Sequence, residues 1–197
     1  MKHHGVSVHL LALPVVLTAC AFHKPTAPAR RPCPIDIPVV ASPSNDSSIG
    51  LASPLAEVIR ALGEPEDRTE SPYFCVATGG SRVDGTRLTL GYPGLRLLID
   101  KPDGGDSYRL SQLELSGDRY SLQSGLSIGA TEEEVRTRMG DPPSRSVTSR
   151  GNERWSYALS DCGDFLSFEF EGQRLIMIEA GSWCCPAVGC RPGRRAF

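Results

Sequence analysis

The stretch TEEEVRTRMGDP, residues 131–142, carries the clearest helix pattern in the chain. Thr131 and Glu134 have the spacing of a capping box, in which each side chain bonds the backbone N–H of the other residue. Glycine followed two residues later by proline is typical of a helix end. We therefore predict a helix that begins after Thr131 and ends at Gly140, with Val135 on its inner side.

The same design occurs earlier in the chain, in SPLAEVIRALGEP at residues 53–65. Ser53 has the position of a cap, Pro54 that of the first helical residue, and Gly63 that of the stop. Both helices are followed by strand-like runs, at 86–92, 95–100 and 110–115 in the first half and at 153–159, 165–170 and 175–180 in the second. The sequence therefore predicts an α+β fold of two tandem helix-plus-three-strand antiparallel modules packed side by side.

The first twenty residues have the order of an exported lipoprotein. Lys2 is followed by a mostly apolar stretch and then by Leu17-Thr18-Ala19-Cys20, which resembles the lipobox of bacterial lipoproteins. In that family the cysteine thiol takes a diacylglyceryl group and the new amino terminus takes a fatty acyl chain such as palmitate. The resemblance implies that residues 1–19 are a signal peptide and that Cys20 carries lipid that binds a membrane. An ordinary signal peptide with an incidental cysteine is the alternative.

The rest of the chain divides by composition. Residues 20–48 are rich in proline and serine and predict a lipidated stalk; 49–120 and 121–183 are the two modules; 184–197 are a tail rich in cysteine and arginine. Residues 46–190 contain 14 Lys or Arg against 22 Asp or Glu, and this acidic balance disfavours nucleic acid as a partner. The residue after the lipobox is Ala21, not Asp, which by the sorting rule of enteric bacteria implies the periplasmic face of the outer membrane.

A family resemblance covers roughly residues 125–180. The residues that carry it are Ile128-Gly129-Ala130-Thr131, Val135, Met139-Gly140-Asp141-Pro142, Trp155-Ser156-Tyr157 and the hairpin from Phe168 to Ile178. They resemble the SmpA/OmlA family, small outer-membrane lipoproteins of the barrel-assembly machinery. The doubled arrangement resembles the β-lactamase-inhibitor proteins, in which a tandem of such modules grips an enzyme with a concave sheet. Both resemblances imply protein binding without catalysis.

The cysteines predict disulfide bonds. Besides Cys20 there are six in an exported chain, and the candidates are Cys33, Cys75, Cys162, Cys184, Cys185 and Cys190. Their pairing stays open, although a bond between adjacent cysteines is disfavoured by geometry. The alternative is a zinc site built from Cys162, Cys184, Cys185 and Cys190, but its spacing is poor and we predict no metal.

The predicted body contains no histidine, because all four lie at His3, His4, His9 and His23. Nucleophile–histidine pairs and histidine-based metal sites are therefore excluded from it. A pair of carboxylates among Asp161, Asp164, Glu169 and Glu171 is the alternative by which the chain would act as a glycosidase-like enzyme. No phosphate-binding glycine loop precedes a helix. We predict no catalytic residues and no cofactor.

Aromatic residues on the predicted strands are the candidate protein-binding residues. Trp155 and Tyr157 share one face of a strand, and Tyr92 lies one step beyond the matching positions Leu88 and Leu90. Packing in the core explains the same alternation equally well. The sequence predicts a membrane-anchored, non-catalytic module that binds another envelope protein or assists envelope assembly. The alternative is a tethered inhibitor or immunity-type binder of a periplasmic enzyme or toxin.

The anchor gives the first testable prediction. Cys20→Ala removes the thiol that takes the lipid, so we expect the protein to be recovered in the soluble periplasmic fraction. Membrane fractionation with gel mobility measures this, and Cys33→Ala is the matched control. An unchanged membrane fraction for Cys20→Ala would contradict the lipidation prediction.

Overall fold

The computed structural model describes residues 39–40, 48–76, 81–159 and 163–182, with only the backbone given for 39–40. The predicted signal peptide, Cys20, most of the predicted stalk and the tail at 184–197 lie outside the described residues. All the described residues belong to one compact unit.

Short strands, two helices and eight longer strands make up this unit. In chain order they are β1 (Val39–Val40), β2 (Ser48–Ile49), α1 (Leu55–Leu62), β3 (Asp67–Val76), β4 (Arg82–Tyr92), β5 (Leu95–Pro102), β6 (Arg109–Leu115), β7 (Ser121–Leu122), α2 (Glu132–Met139), β8 (Ser144–Val147), β9 (Glu153–Ala158), β10 (Asp164–Glu171) and β11 (Arg174–Ser182). The eight longer strands form one antiparallel sheet in the order β3-β4-β5-β6-β11-β10-β9-β8, and β2-β1-β7 form a small second sheet.

The prediction of an α+β fold with two tandem helix-plus-three-strand modules is wrong. Each helix is followed by four strands that enter the large sheet, and β6 pairs with β11, so both halves belong to one continuous sheet. The two described helices have eight residues each, so the described body is mainly antiparallel β-sheet.

The two strands that the sequence prediction missed lie at the sheet edges. Every residue of β3 is exposed or half-buried, and all four residues of β8 are exposed. An apolar–polar alternation arises where one face of a strand is buried, so neither edge strand shows it. Pro72 within β3 further disfavoured a strand, although proline is compatible with an edge position.

The six strands that were predicted are present, with bounds that differ by a few residues. The β4–β5 turn falls at Pro93-Gly94 as predicted, and Gly94 adopts a positive φ of 74°. A Cβ on Gly94 would lie 2.5 Å from the Cα of Gly117, so only glycine lets these two backbone segments approach so closely.

Helix α2 begins as the sequence predicted, whereas α1 begins differently. The Oγ1 of Thr131 accepts a hydrogen bond from the Glu134 N–H at 3.2 Å, and the Glu134 carboxylate accepts one from the Thr131 N–H at 2.7 Å. These bonds lower the pKa of Glu134. In α1 the cap position is Pro54, and the Oγ of Ser53 instead accepts the Gly50 N–H at 3.1 Å, so the predicted Ser53 cap is wrong.

Both helices and the small sheet pack on the same face of the large sheet. Val58 of α1 and Val135 of α2 are fully buried in one apolar cluster with Leu90, Trp155 and Phe168 of the sheet. No described helix covers the opposite face, which we call the open face. Along each strand, its side chains alternate with those of the core. They include Asp67, Thr69, Tyr73, Arg87, Thr89, Arg96, Asp100, Gln112, Glu114, Ser144, Arg154, Ser156, Phe165, Ser167, Glu169, Met177 and Glu179.

Two tyrosines tie the ends of the helices to the sheet in the same way. The hydroxyl of Tyr92 donates to the carbonyl of Gly63 at 3.1 Å, and the hydroxyl of Tyr157 donates to the carbonyl of Gly140 at 3.0 Å. Tyr92 and Tyr157 are therefore equivalent positions. The sequence comparison, which matched Tyr157 with Leu90, was displaced by two residues.

These hydrogen bonds give a prediction about alkaline stability. Burial raises the pKa of Tyr92 to about 12 and also raises that of Tyr157, whereas an unfolded tyrosine has a pKa of about 10. The neutral hydroxyl is favoured in the fold, so this stability is fully present below pH ~10 and is lost as the pH rises towards ~12. We expect Tyr92→Phe to lower the free energy of unfolding by about 1 kcal/mol at pH 7.

Urea unfolding at pH 7 and across the range from ~10 to ~12 measures both effects. The Tyr92→Phe protein should lose less stability across that alkaline range than the parent, because the group that titrates is gone. Tyr108→Phe is the control, because the hydroxyls bonded to Gly63 and Gly140 belong to Tyr92 and Tyr157, and the Tyr108 carbonyl that accepts the Leu55 N–H is unchanged. An identical alkaline loss in the parent and in Tyr92→Phe would show that the hydroxyl is not the responsible group.

Candidate functional site

A network of charged side chains crosses the second half of the open face. Arg154 on β9 contacts Glu169 on β10 with an Nη2–Oε2 distance of 3.2 Å and Glu179 on β11 with an Nη1–Oε2 distance of 3.4 Å. Glu179 also accepts a hydrogen bond from Nε2 of Gln112 on β6 at 2.5 Å. Asn152 donates from Nδ2 to Glu169 at 2.8 Å. The network therefore joins four adjacent strands, including the two that connect the halves of the sheet.

Burial makes this network unusual for a surface. The Glu169 side chain is 5% exposed, although no described helix lies over it. A buried carboxylate needs a partner charge and hydrogen bonds, and Arg154 with Asn152 supplies them. Two carboxylates share one guanidinium here, so within the described part of the chain the network has one more negative than positive charge.

The first half of the open face carries its own ion pairs. Arg87 donates from Nε and Nη2 to the two carboxylate oxygens of Asp100 at 2.6 and 2.8 Å. This bidentate bond raises the pKa of Arg87, and the Asp100 residue is 2% exposed. Arg96 bonds Glu114 at 2.7 Å in a more exposed setting. The ionic groups of the face are thus held in fixed positions.

Aromatic rings lie across glycines at two places on the open face. A Cβ on Gly85 would lie 2.5 Å from Cε1 of Tyr73, its partner on the neighbouring strand. A Cβ on Gly181 would lie 2.9 Å from Cε1 of Phe165, which is likewise its cross-strand partner. Each ring therefore packs across its cross-strand glycine, and the guanidinium of Arg87 lies over the Tyr73 ring, 5.0 Å from its centroid. Burial also raises the pKa of Tyr73 to about 12.

A shallow depression of about 320 Å³ lies at the end of the open face on β3 to β5. Its lining residues are Asp67, Thr69, Thr89, Gly91, Tyr92, Gly94, Leu95, Arg96 and Ser116. A Cβ on Gly91 would lie 3.2 Å from the Cβ of Asp67, so the glycine leaves the floor of this depression open.

The aromatic residues proposed from the sequence lie in the core. Trp155, Tyr157 and Tyr92 are 0%, 8% and 8% exposed. Trp155 packs on Phe170 with ring centroids 4.7 Å apart, and Tyr157 meets Phe168 edge-on at 5.7 Å. The structure does not bring these three side chains to a contact surface. They pack in the core, which was the alternative that the sequence left open.

The residues that sequence reasoning missed are their immediate neighbours. Arg154 precedes Trp155, Glu169 lies between two core phenylalanines, and Glu179 lies between Ile178 and Ala180. Charged residues that alternate with buried ones on several consecutive strands were the available signal.

Two of the carboxylates considered for catalysis, Asp164 and Glu171, are too far apart to act as a pair. Asp164 and Glu171 lie at opposite ends of β10, about 23 Å apart along the strand. A glycosidase pair needs a separation of roughly 5 to 9.5 Å. Both oxygens of Glu169 accept bonds, from Asn152 and Arg154. Asp161 lies outside the described residues.

Metal and disulfide predictions fall mainly on residues that are not described. Within the described ranges, no group of three or more His, Cys, Asp or Glu side chains is placed to hold a metal ion. Cys75, on the open-face side of β3, is disulfide-bonded. The other candidates, Cys33, Cys162, Cys184, Cys185 and Cys190, lie outside the described residues, so the pairing and the zinc alternative stay as sequence predictions.

No protein-family model and no curated protein sequence matches this chain. A crystal structure of an extracellular protein with an SCP domain from Bacillus anthracis is similar to it, with 12% identity and a TM-score of 0.38. The similarity covers 67% of this chain and 44% of the other, so this chain spans less than half of that protein. Among the described residues, no helix has the length and apolar character needed to cross a membrane.

The ionic network gives a prediction about stability. Arg154→Met leaves Glu169 buried without its charge partner, and we expect the free energy of unfolding to fall by about 1–3 kcal/mol, after allowance for the partial exposure of Arg154. The double variant Arg154→Met with Glu169→Gln should regain part of this loss, because no unpaired charge is left.

Chemical denaturation of the single and double variants measures this coupling. Arg96→Met is the control, since the Arg96–Glu114 pair is more exposed and is expected to contribute less than about 1 kcal/mol. If the double variant is no more stable than Arg154→Met alone, the charge on Glu169 is not the source of the loss.

Proposed function

We propose that this protein is a lipid-anchored, non-catalytic protein-binding module of the bacterial cell envelope, of the SmpA/OmlA type, and that the open face is its contact surface. The observation that carries the proposal is the one-sided packing of the large sheet. Both helices and the small sheet cover one face, while the other carries ordered ion pairs and aromatic rings packed across glycines.

The size of the open face suits a protein partner. Eight strands at about 4.8 Å spacing give a width of roughly 38 Å. A standard protein interface buries about 800 Å² on each partner, which a surface of this width can supply. Fixed ionic groups also lower the cost of binding, because Arg87, Asp100 and Arg96 are already ordered by contacts within the face.

The depression on β3 to β5 supports protein binding more than small-molecule binding. At about 320 Å³ it is at the lower limit of ligand pockets, which are usually closed and mostly apolar. Apolar surface makes up more of its lining than polar surface, but the depression is open to solvent and is not enclosed, and Asp67, Thr69, Thr89 and Arg96 surround it on the open face. A depression of this kind fits one side chain that protrudes from a partner's surface.

The sequence supplies the cellular setting of the proposal. The lipobox at Leu17-Thr18-Ala19-Cys20 places lipid at the start of the mature chain, and the proline-rich residues 20–48 give the body reach from the bilayer. The partner is then another envelope protein that faces the periplasm, at the outer membrane.

Cross-linking in the living envelope, followed by capture of the tagged chain, identifies the partner. Binding to that purified partner is then measured for Thr69→Arg and Thr89→Arg, which place a long charged side chain in the depression. We expect each to weaken binding at least about tenfold, a loss of roughly 1.4 kcal/mol. Thr137→Arg, exposed on α2 and away from the open face, is the matched control.

The outcomes separate the possibilities. Recovery of barrel-assembly components supports the envelope-assembly role, whereas one stoichiometric enzyme or toxin with lost activity supports the tethered inhibitor or immunity-type alternative. Unchanged affinity in both open-face variants, with a loss in Thr137→Arg, would overturn the assignment of the open face.

A further inference from the structure

The second half of the open face has a charge that the described residues leave uncompensated. Glu169 and Glu179 both contact Arg154, and no second cation lies within ion-pair distance of them among the described residues. The Nε of Arg154 is buried and lacks a hydrogen-bond partner in the same part of the chain. Half-buried Phe165 and Met177 lie on the same face beside this network.

The chain itself provides a segment of the opposite charge next to this surface. Residues 183–197, WCCPAVGCRPGRRAF, follow directly after Ser182, the last residue of β11. This segment contains Arg191, Arg194 and Arg195 and neither aspartate nor glutamate. β11 is an inner strand, with β6 on one side and β10 on the other, so the segment starts in the middle of the sheet.

The distances are well within reach of this segment. Glu179 lies three residues before the end of β11, or about 10 Å along the strand. Arg191 is nine positions after Ser182, which allows up to about 30 Å in an extended chain. The edge strand β8 lies three strands from β11, about 14 Å away.

We propose that residues 183–197 fold back over the open face of β6, β11, β10 and β9 and pair at least one of their arginines with Glu179, the more exposed of the two carboxylates. A guanidinium matches a carboxylate with two parallel hydrogen bonds and tolerates partial burial. This inference goes beyond the proposed function, because the segment covers the second half of the face and leaves the depression on β3 to β5 free.

Photo-crosslinking within the full-length chain tests the proposal without any partner. Benzoyl-phenylalanine is placed at Ser156, on the open face of β9, and in a control chain at Val147, which points to the other face of β8 and is 72% exposed. We expect crosslinks from position 156 to peptides within 183–197, at a yield about tenfold above that from position 147. Mass spectrometry of the digested protein identifies them.

Charge variants show whether ion pairing holds the segment. Changing Arg191, Arg194 and Arg195 together to Glu should lower the crosslink yield about tenfold, as should Glu179→Gln, which leaves the Arg154–Glu169 pair intact. Glu133→Gln, exposed on α2, is the matched control and should leave the yield unchanged.

The outcomes are decisive for the segment alone. The proposal is overturned by any of three results: no crosslinks from position 156, equal yields from positions 156 and 147, or an unchanged yield in the arginine variant. Exposed Ser144, on the open face of β8, is a second probe position if the Ser156 chain does not fold. The crosslinking experiment contains no partner protein, so a negative result does not contradict the proposed protein-binding function. In the same way, failure to capture a partner does not contradict the position proposed for residues 183–197.

Discussion

The pairing of β6 with β11 is the contact on which the rest of the structure depends. It joins the last strand of each half through four residue pairs, from Leu115 with Ile178 to Gln112 with Gly181. Leu113, Leu115, Ile178 and Ala180 enter the core, whereas Glu179 and Gln112 bond each other on the open face. A shift of one residue would turn each strand's apolar side chains to the wrong face. This register therefore fixes one shared core and one continuous polar face at the same time.

The sequence predicted the parts of the fold that local patterns determine. The capping box of α2 was confirmed because Thr131 and Glu134 interact across only three residues. The six inner strands were confirmed because burial on one or both faces gives them apolar residues in regular positions. Edge strands β3 and β8 have no such constraint, so they were missed. The pairing of β6 with β11 was not predicted either, since a local stretch of sequence does not indicate which distant strand pairs with it.

On β9, each residue predicted for the candidate site is the immediate sequence neighbour of a residue that lies on the open face. Alternation identified two sets of side chains on β9, with Trp155 and Tyr157 in one and Arg154 in the other. Which set is covered depends on where the helices pack, a long-range property that the strand sequence does not contain. The hydrogen bonds from Tyr92 and Tyr157 to helix-end carbonyls show that these aromatics hold the helices in place. The polar residues that alternate with these aromatics therefore lie on the open face.

The two edge strands of the sheet, β3 and β8, carry features that oppose strand pairing between copies of this protein. At high local concentration an unprotected strand edge pairs with the edge of a neighbouring molecule and starts an aggregate. Along β3, Pro72 has no backbone N–H to donate, and exposed charged residues such as Arg68 and Glu70 disfavour the addition of another strand. β8 is only four residues long, which leaves little length for an added strand. The sheet can thus stay large and one-sided without growing from molecule to molecule.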